Sequence, residues 1–325
     1  MQSILNRMKA PLTILYILSL LSILAGNANA ADYPTRPIRI VTATPGGGND
    51  YLARIIAPAL GTAVGQQVIV DNRASRFVGG IVARSAPDGY TLAVGGGTMQ
   101  FLPLTEKADY DILSDFAPIS QLERSPNVLV VNPSLKVGTV AELVALARAK
   151  PGALLYGTGS TGTALHVAGE MFMIAANVKI TRVPYKSTGP ALLGLLTNEV
   201  HMIFATTGGT MAHVRDGRLK ALGVTSAQPS PLIPGVPTLA SQGLKGYDLD
   251  TIGFILAPAK TPATLIRILN RHVVSIMSNA EVKERMAGGG SEVVTGTPEE
   301  LSAKLKIDDA RMRKLYQTIG LSPER

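Results

Sequence analysis

The sequence predicts an α/β fold of two lobes, each a mostly parallel sheet flanked by helices, with a cleft between the lobes. Three observations predict it. Short runs of β-branched residues alternate with helical patterns along nearly the whole chain, the rhythm of parallel α/β sheets. Two strand-to-helix passages, Ile38 to Leu60 and Leu154 to Phe172, run through turns rich in glycine and hydroxyl side chains. Composition breaks at Glu123–Asn127, and again from Gln228 to Pro237 and on through Tyr247-Asp248, mark two places for the chain to cross between lobes.

The first thirty residues stand apart from that rhythm. Arg7 and Lys9 form a basic start, Leu12 to Leu24 is apolar, and Ala28 and Ala30 occupy the small-residue positions of a cleavage site. The apolar run is shorter than the roughly 20 residues of a spanning helix. A cleaved signal peptide over 1–30, cut after Ala30, is the expectation, releasing a soluble protein. The remainder of the chain is long enough for two domains of ordinary size. These are expected over 31–127 together with 251–325, and over 128–250.

In order, the expected strands are Ile38–Thr42, Val68–Asp71, Thr91–Gly95, Val128–Asn132, Leu154–Gly157, Ile180–Pro184, Val200–Phe204, Ala221–Thr225 and Thr251–Ala257. Between them, Leu52, Ile55, Ile56, Leu60 and Val64 fall on one face of a helix over Asp50–Val64. Thr139–Ala149 and Thr163–Ala176 behave the same way. Near the C-terminus, Thr261-Pro262 and Thr297-Pro298 each read as an N-cap threonine before a first-turn proline, with Glu300 completing a capping box in the second case.

The 325 residues include no cysteine, which removes thiol catalysis, iron–sulfur clusters and thiolate zinc sites. Net charge is +8, yet the basic residues are scattered and no aromatic-studded basic strand occurs, so no nucleic-acid partner is expected. A modest positive field that steers carboxylates fits better.

Pro45-Gly46-Gly47-Gly48-Asn49-Asp50 lacks both the dinucleotide glycine spacing and the lysine ending of a phosphate loop. It is either a plain turn with Asp50 near the helix start, or an anion site that Thr42, Thr44 and Asn49 enlarge. Gly157-Thr158-Gly159-Ser160-Thr161-Gly162-Thr163 is the second candidate, and Val183 to Pro190, with Lys186, Ser187, Thr188 and Gly189, is the third. Ser160 is not in a nucleophile elbow, because Thr158 replaces the first glycine. A serine hydrolase with Ser160 as nucleophile and His166 as base remains a minor alternative. His166 and Glu170 lie one helical turn apart and read as a hydrogen-bonding pair rather than metal ligands, lacking a third ligand. No metal or cofactor is expected. The turns read as a device that holds a small anion and leaves it unchanged.

The segments PGGGNDYLAR, VIVDNR, APDGYTL, DFAPIS, NVLVVNPS, LHVAGEMF, VPYKSTGPALLGLL, LKALGVTS, PGVPTLA and FILAPAKTP, in this order and spacing, resemble the extracytoplasmic solute-binding proteins of tripartite tricarboxylate transporters. The resemblance covers essentially the whole chain after the leader. It implies a two-lobed periplasmic binding protein, type II-like, that closes over a small organic carboxylate and hands it to membrane permease subunits. A monomer is expected, and no catalysis. A ligand-loaded sensor partner of a signalling receptor would use the same closed surface and stays open. Carried over residue by residue, ligand contacts are expected from Thr44, Gly47, Gly48, Asn49, Ser160, Thr161, Thr163, Lys186, Ser187 and Thr188.

Three departures from the family pattern bear on specificity. Ala43 stands where an aromatic residue is usual, thinning one wall. The segment after Asn72-Arg73 is shorter than usual, so Arg76 and Phe77 are expected to intrude on the pocket. Ala205 and Thr206 replace an aspartate and an asparagine, which predicts that amino acids bind poorly and plain mono- or dicarboxylates better.

Overall fold

In the computed structural model, which describes residues 33–159, 163–185 and 188–320, the β-branched runs form the strands the alternation anticipates. The fold occupies the unit Arg36–Arg325. Its first stretch is β1 (Ile38–Thr42), α1 (Gly48–Val64), β2 (Val68–Asn72), α2 (Ser75–Ala83), β3 (Thr91–Gly95) and the short α3 (Gly97–Phe101). A long strand, β4 (Phe116–Val131), comes next. Then come α4 (Val140–Ala149), β5 (Leu155–Thr158), α5 (Ala164–Ala176), β6 (Thr181–Pro184), α6 (Thr188–Leu196), β7 (Met202–Thr206), α7 (Thr207–Arg215) and β8 (Lys220–Val224). The chain closes with β9 (Asp250–Pro258), α8 (Ala263–Met277), α9 (Ala280–Gly288), β10 (Glu292–Val293) and α10 (Pro298–Thr318).

The strands order as β2-β1-β3-β9-β4-β7-β5-β6, with β8 and β10 also paired to β4. Parallel pairing joins β1 to β2 and β3, and β5 to β6 and β7. The antiparallel pairings all involve β4 or β9. Along β4, Phe116 to Pro126 pairs with β9 and Asn127 to Val131 with β7, so one strand runs through both ends of the sheet. Only its second half is expected from the residues, as Val128–Asn132. Pro118 and Pro126 hide the first half, because proline removes a ladder donor and argues against a strand interior. The register shifts between Pro118 and Ser120, and again between Gln121 and Glu123, absorb the irregularity.

Burial follows the helical faces read from sequence. Leu52, Ile55, Ile56 and Leu60 of α1 are buried. One apolar cluster gathers Val41, Ala93, Phe116 and Phe254 around β1, β3, β4 and β9. A second holds Leu129, Tyr156, Phe172 and Phe204, with the Phe172 and Phe204 rings 6.0 Å apart. Helix α10 contributes to both: Leu301 and Leu305 enter the first cluster, Met312 and Tyr316 the second.

Three α-helix starts carry side-chain caps among the described residues. Thr139 accepts from the Glu142 N–H, Asn279 from that of Glu281, and Thr297 with Glu300 makes the expected capping box. Thr261 needs a correction. Helix α8 begins at Ala263 with Pro262 as its N-cap, and the Thr261 hydroxyl donates to Pro258 O at 2.7 Å instead. Its hydroxyl closes the turn after β9 and so is not available to the helix.

Candidate functional site

The turn between β1 and α1 is built by a polar network on its outer side. Gly46 sits at φ +85, in the left-handed region open to glycine at no steric cost, and lets the chain reverse into the helix. The Asp50 carboxylate accepts from Gly46 N–H at 2.9 Å, from Arg54 Nε at 2.9 and 3.0 Å, and from Asn72 Nδ2 at 2.8 Å. Asn72 Nδ2 also donates to Ala43 O at 2.6 Å, and Arg54 Nη2 donates to Asn72 Oδ1. These bonds, the one to Arg54 foremost, pull the Asp50 pKa down to about 2 against its desolvation. The effect is to clamp residues 43 to 47 from behind. The N-cap, Gly47, has no side chain and so makes no cap to the first-turn N–H groups of α1.

Helix α2, which starts after Ala74 with Ser75 at the cavity, and three other helices begin in the same way at the same place. α3 starts after Gly96, α5 after Thr163 and α7 after Thr206, each without a side-chain cap. Gly47, Gly48 and Asn49 of α1, Gly97 and Thr98 of α3, Thr163 and Ala164 of α5, and Thr206 before α7 all line one cavity of about 880 Å³. That volume suits a small ligand. Helix starts carry roughly half a positive charge and unpaired N–H groups, so their convergence makes an anion-binding surface without basic side chains.

Of the residues expected from sequence, the cavity brings together Thr44, Gly47, Gly48, Asn49 and Thr163. Ser160, Thr161, Lys186 and Ser187 lie outside the described residues. Thr188 opens α6 and is not among the lining residues. Ala43 lines the cavity, but Arg76 and Phe77 do not, which corrects the expectation that they intrude. They belong to α2, where Phe77 is 57% exposed with the Arg76 guanidinium over its ring, and Ser75 faces the cavity instead.

Phe101, Leu102, Val167, Leu249, Met312 and Tyr316 make the apolar wall, and burial pushes the Tyr316 hydroxyl up to about 12. The charged lining is acidic. Glu106, Glu123 and Asp250 face the cavity, and its described lining includes no lysine, arginine or histidine. Glu106 pairs with Arg76 at 3.5 Å on the surface. Glu123 is 8% exposed, and burial raises its pKa against an opposing hydrogen bond with Ser291. Asp250 is raised to about 6, by burial first and then by Asp248, while Arg124 and Lys304 act the other way. Its Oδ1 is closed to solvent and has no hydrogen-bond partner. Neither acid is among the residues expected from sequence. The available signal is Asp248-Leu249-Asp250, an acidic pair beside a proposed crossing.

His166 Nε2 lies 3.4 Å from Glu170 Oε1, and the Tyr156 hydroxyl donates to the same oxygen at 2.7 Å. Burial, then Arg182, lowers the His166 pKa in spite of Glu170. The pair is spent on the helix face and on the core tyrosine, as its one-turn spacing predicts. Among the described residues no group of three or more metal-ligating side chains occurs, and no helix is long and apolar enough to cross a membrane.

The family model of the tripartite tricarboxylate transporter family receptor matches residues 52–321. Protein BugT of Bordetella pertussis is 34% identical over 286 residues, covering 85% of this chain and 87% of that protein. A Pseudomonas protein from a tcbD-tcbE intergenic region is 33% identical over 87% of this chain and 86% of its own. Among solved structures, R. palustris Rpa4515 with adipate superposes with a TM-score of 0.73 at 32% identity, covering 90% of this chain and 100% of that one. A solute-binding protein from Polaromonas, solved without ligand, gives a TM-score of 0.78 at 25% identity over 88% of this chain and 99% of its own.

Proposed function

The chain belongs to the tripartite tricarboxylate transporter receptor family, a family of periplasmic solute-binding receptors, and on that premise we propose that it captures a small organic carboxylate in the cavity and delivers it to the permease subunits of a tripartite transporter. The observation that carries the reading is the convergence of five helix starts without side-chain caps on one cavity. A carboxylate is the ligand such a surface favours, because each N–H it accepts is a charge-assisted bond. Such bonds contribute roughly 1.5–3 kcal/mol each before desolvation is subtracted. Adipate in the R. palustris relative supports the choice of ligand class.

In this reading 31–127 with 251–325 forms one lobe and 128–250 the other. β4 and β9 are the crossings, and the lobes close on the ligand about them. Thr44, Gly47, Gly48 and Asn49 contact the anion from one lobe. Thr163 does so from the other, joined by Ser160, Thr161, Lys186, Ser187 and Thr188 where the family pattern has its contacts. Only the closed form docks on the permease, so the ligand's preference for that form drives delivery. The protein is exported by the leader over 1–30, works in the periplasm as a monomer and leaves its ligand chemically intact.

A melting screen of the chain without its leader against C3 to C8 organic acids tests this. A ligand at 100 times its Kd adds about 2.7 kcal/mol, which raises Tm by roughly 4–5 °C. The reading fails if no acid raises Tm, or if mass spectrometry finds the bound acid converted.

A further inference from the structure

We infer that Asp250 selects, among carboxylate ligands, those that also carry an ammonium group. The inference rests on the carboxylate-receptor reading and sharpens it. Three consecutive residues at the start of β9, Leu249, Asp250 and Thr251, line the cavity, and Asp250 is held there by the pairing of its residue with Pro126 of β4. This strand start lies against the helix starts that receive the anion. A Cβ on Gly96, the residue before α3, would meet Asn49 Oδ1 at 2.9 Å and Ile252 O at 3.0 Å. One on Gly97 would meet Thr251 Cγ2 at 3.8 Å. Positive helix ends and a carboxylate therefore sit within the span of one small molecule.

The balance of charge in the cavity argues for a cation. A plain dianion entering it meets Glu123 and Asp250, two acids of the described lining. The charged groups around Asp250 are already engaged with one another. Arg124 pairs with Glu292 at 2.8 Å, Arg311 with Asp248 at 2.8 Å and with Asp308 at 2.9 Å, and Lys304 with Asp308 at 3.2 Å. Asp250 itself has an oxygen that is buried and unpaired. An unpaired buried carboxylate oxygen is costly, and a donor from the ligand relieves that cost. Rotation about the soft terminal torsion of an aspartate exchanges its two oxygens and brings either one to the cavity face. The expectation that amino acids bind poorly rests on Ala205 and Thr206 alone. The negative charge those positions lack is supplied here from β9.

The test is calorimetry and thermal shift on the chain without its leader, using succinate against aspartate and adipate against 2-aminoadipate. The amino member of at least one pair is expected to bind ten-fold or more tighter at pH 7.5. Asp250→Asn is expected to abolish that ratio by weakening the amino acid and tightening the plain acid. Asp250→Ser serves as a second variant, with circular dichroism as the folding check for both. The ratio is also expected to fall between pH 7.5 and pH 5, as Asp250 takes up a proton around pH 6. Plain acids binding tighter in the parent protein, or a ratio that Asp250→Asn leaves unchanged, overturns the inference while the carboxylate reading stands. Failure of all four acids to bind removes both.

Discussion

Helix starts in this molecule come in two kinds. Those of α4, α9 and α10 are closed by their own side chains, Thr139, Asn279 and Thr297. Those of α1, α2, α3, α5 and α7 have no side-chain cap and border the cavity, and that of α8, after Pro262, lacks a cap without lining it. The residues before the helix explain part of the contrast. Gly47 and Gly96 have no side chain to offer. Thr163 and Thr206 do have hydroxyls, yet neither caps the helix it precedes. Capping an N-terminus is worth about 1 kcal/mol. Five starts without such a cap border one cavity, and in the proposed reading the anion takes the place of the missing caps.

The contrast breaks most sharply if the chain is made to supply its own anion. Gly47→Asp places a carboxylate at the N-cap of α1, where a Cβ meets only Thr44 O at 3.7 Å. Titration should show organic-acid affinity reduced at least about 100-fold, because an intramolecular competitor acts at a high effective concentration. The free protein should melt no lower than the parent. Next in size is Gly48→Pro, which removes one N–H at a helical position that tolerates proline and where a Cβ meets nothing within 4 Å. Calorimetry should find a loss of about 10- to 100-fold in affinity with the ligand-free Tm nearly unchanged.

Asp50→Ala acts on the α1 start from behind the site. It strands Gly46 N–H, Arg54 and Asn72, and should cost about 1–2 kcal/mol in urea unfolding while also weakening ligand binding. The pH profile has a definite sign. The folded pKa of about 2 lies below the ordinary 3.8, so the Asp50 contribution is complete above 3.8 and is lost as pH falls toward 2. Circular dichroism along an acid titration of parent and variant should show their difference vanishing in that window. The smallest effect belongs to a closed helix start. Thr297→Ala should lower stability by about 1 kcal/mol in urea unfolding and leave organic-acid affinity as it was.

Much of this fold is legible in the residues. The spacing of Leu52, Ile55, Ile56 and Leu60 fixes the buried face of α1, and β-branched runs mark most of the strands, because both signals are local. The glycine turns after β1 and β5 announce themselves for the same reason. Asn72 is beyond reach, since it clamps Ala43 across a strand pairing that only the folded sheet creates. Asp250 is hidden in the same way: it reaches the cavity through the path of β9 beside β4, far in sequence from every glycine turn. Prolines conceal the first half of β4, where register shifts rather than residue preference keep the strand intact.

Pro126 and Asp250 are register partners, one where the chain leaves for the middle segment and the other where it comes back. The segment between them is also held by the end of the chain, through Arg311 to Asp248 at 2.8 Å, Thr207 to Gly290 O at 2.8 Å, and Met312 and Tyr316 in its apolar cluster. A graft of the corresponding stretch from a relative therefore has to match helix α10 and Gly290 as well as the strand junction.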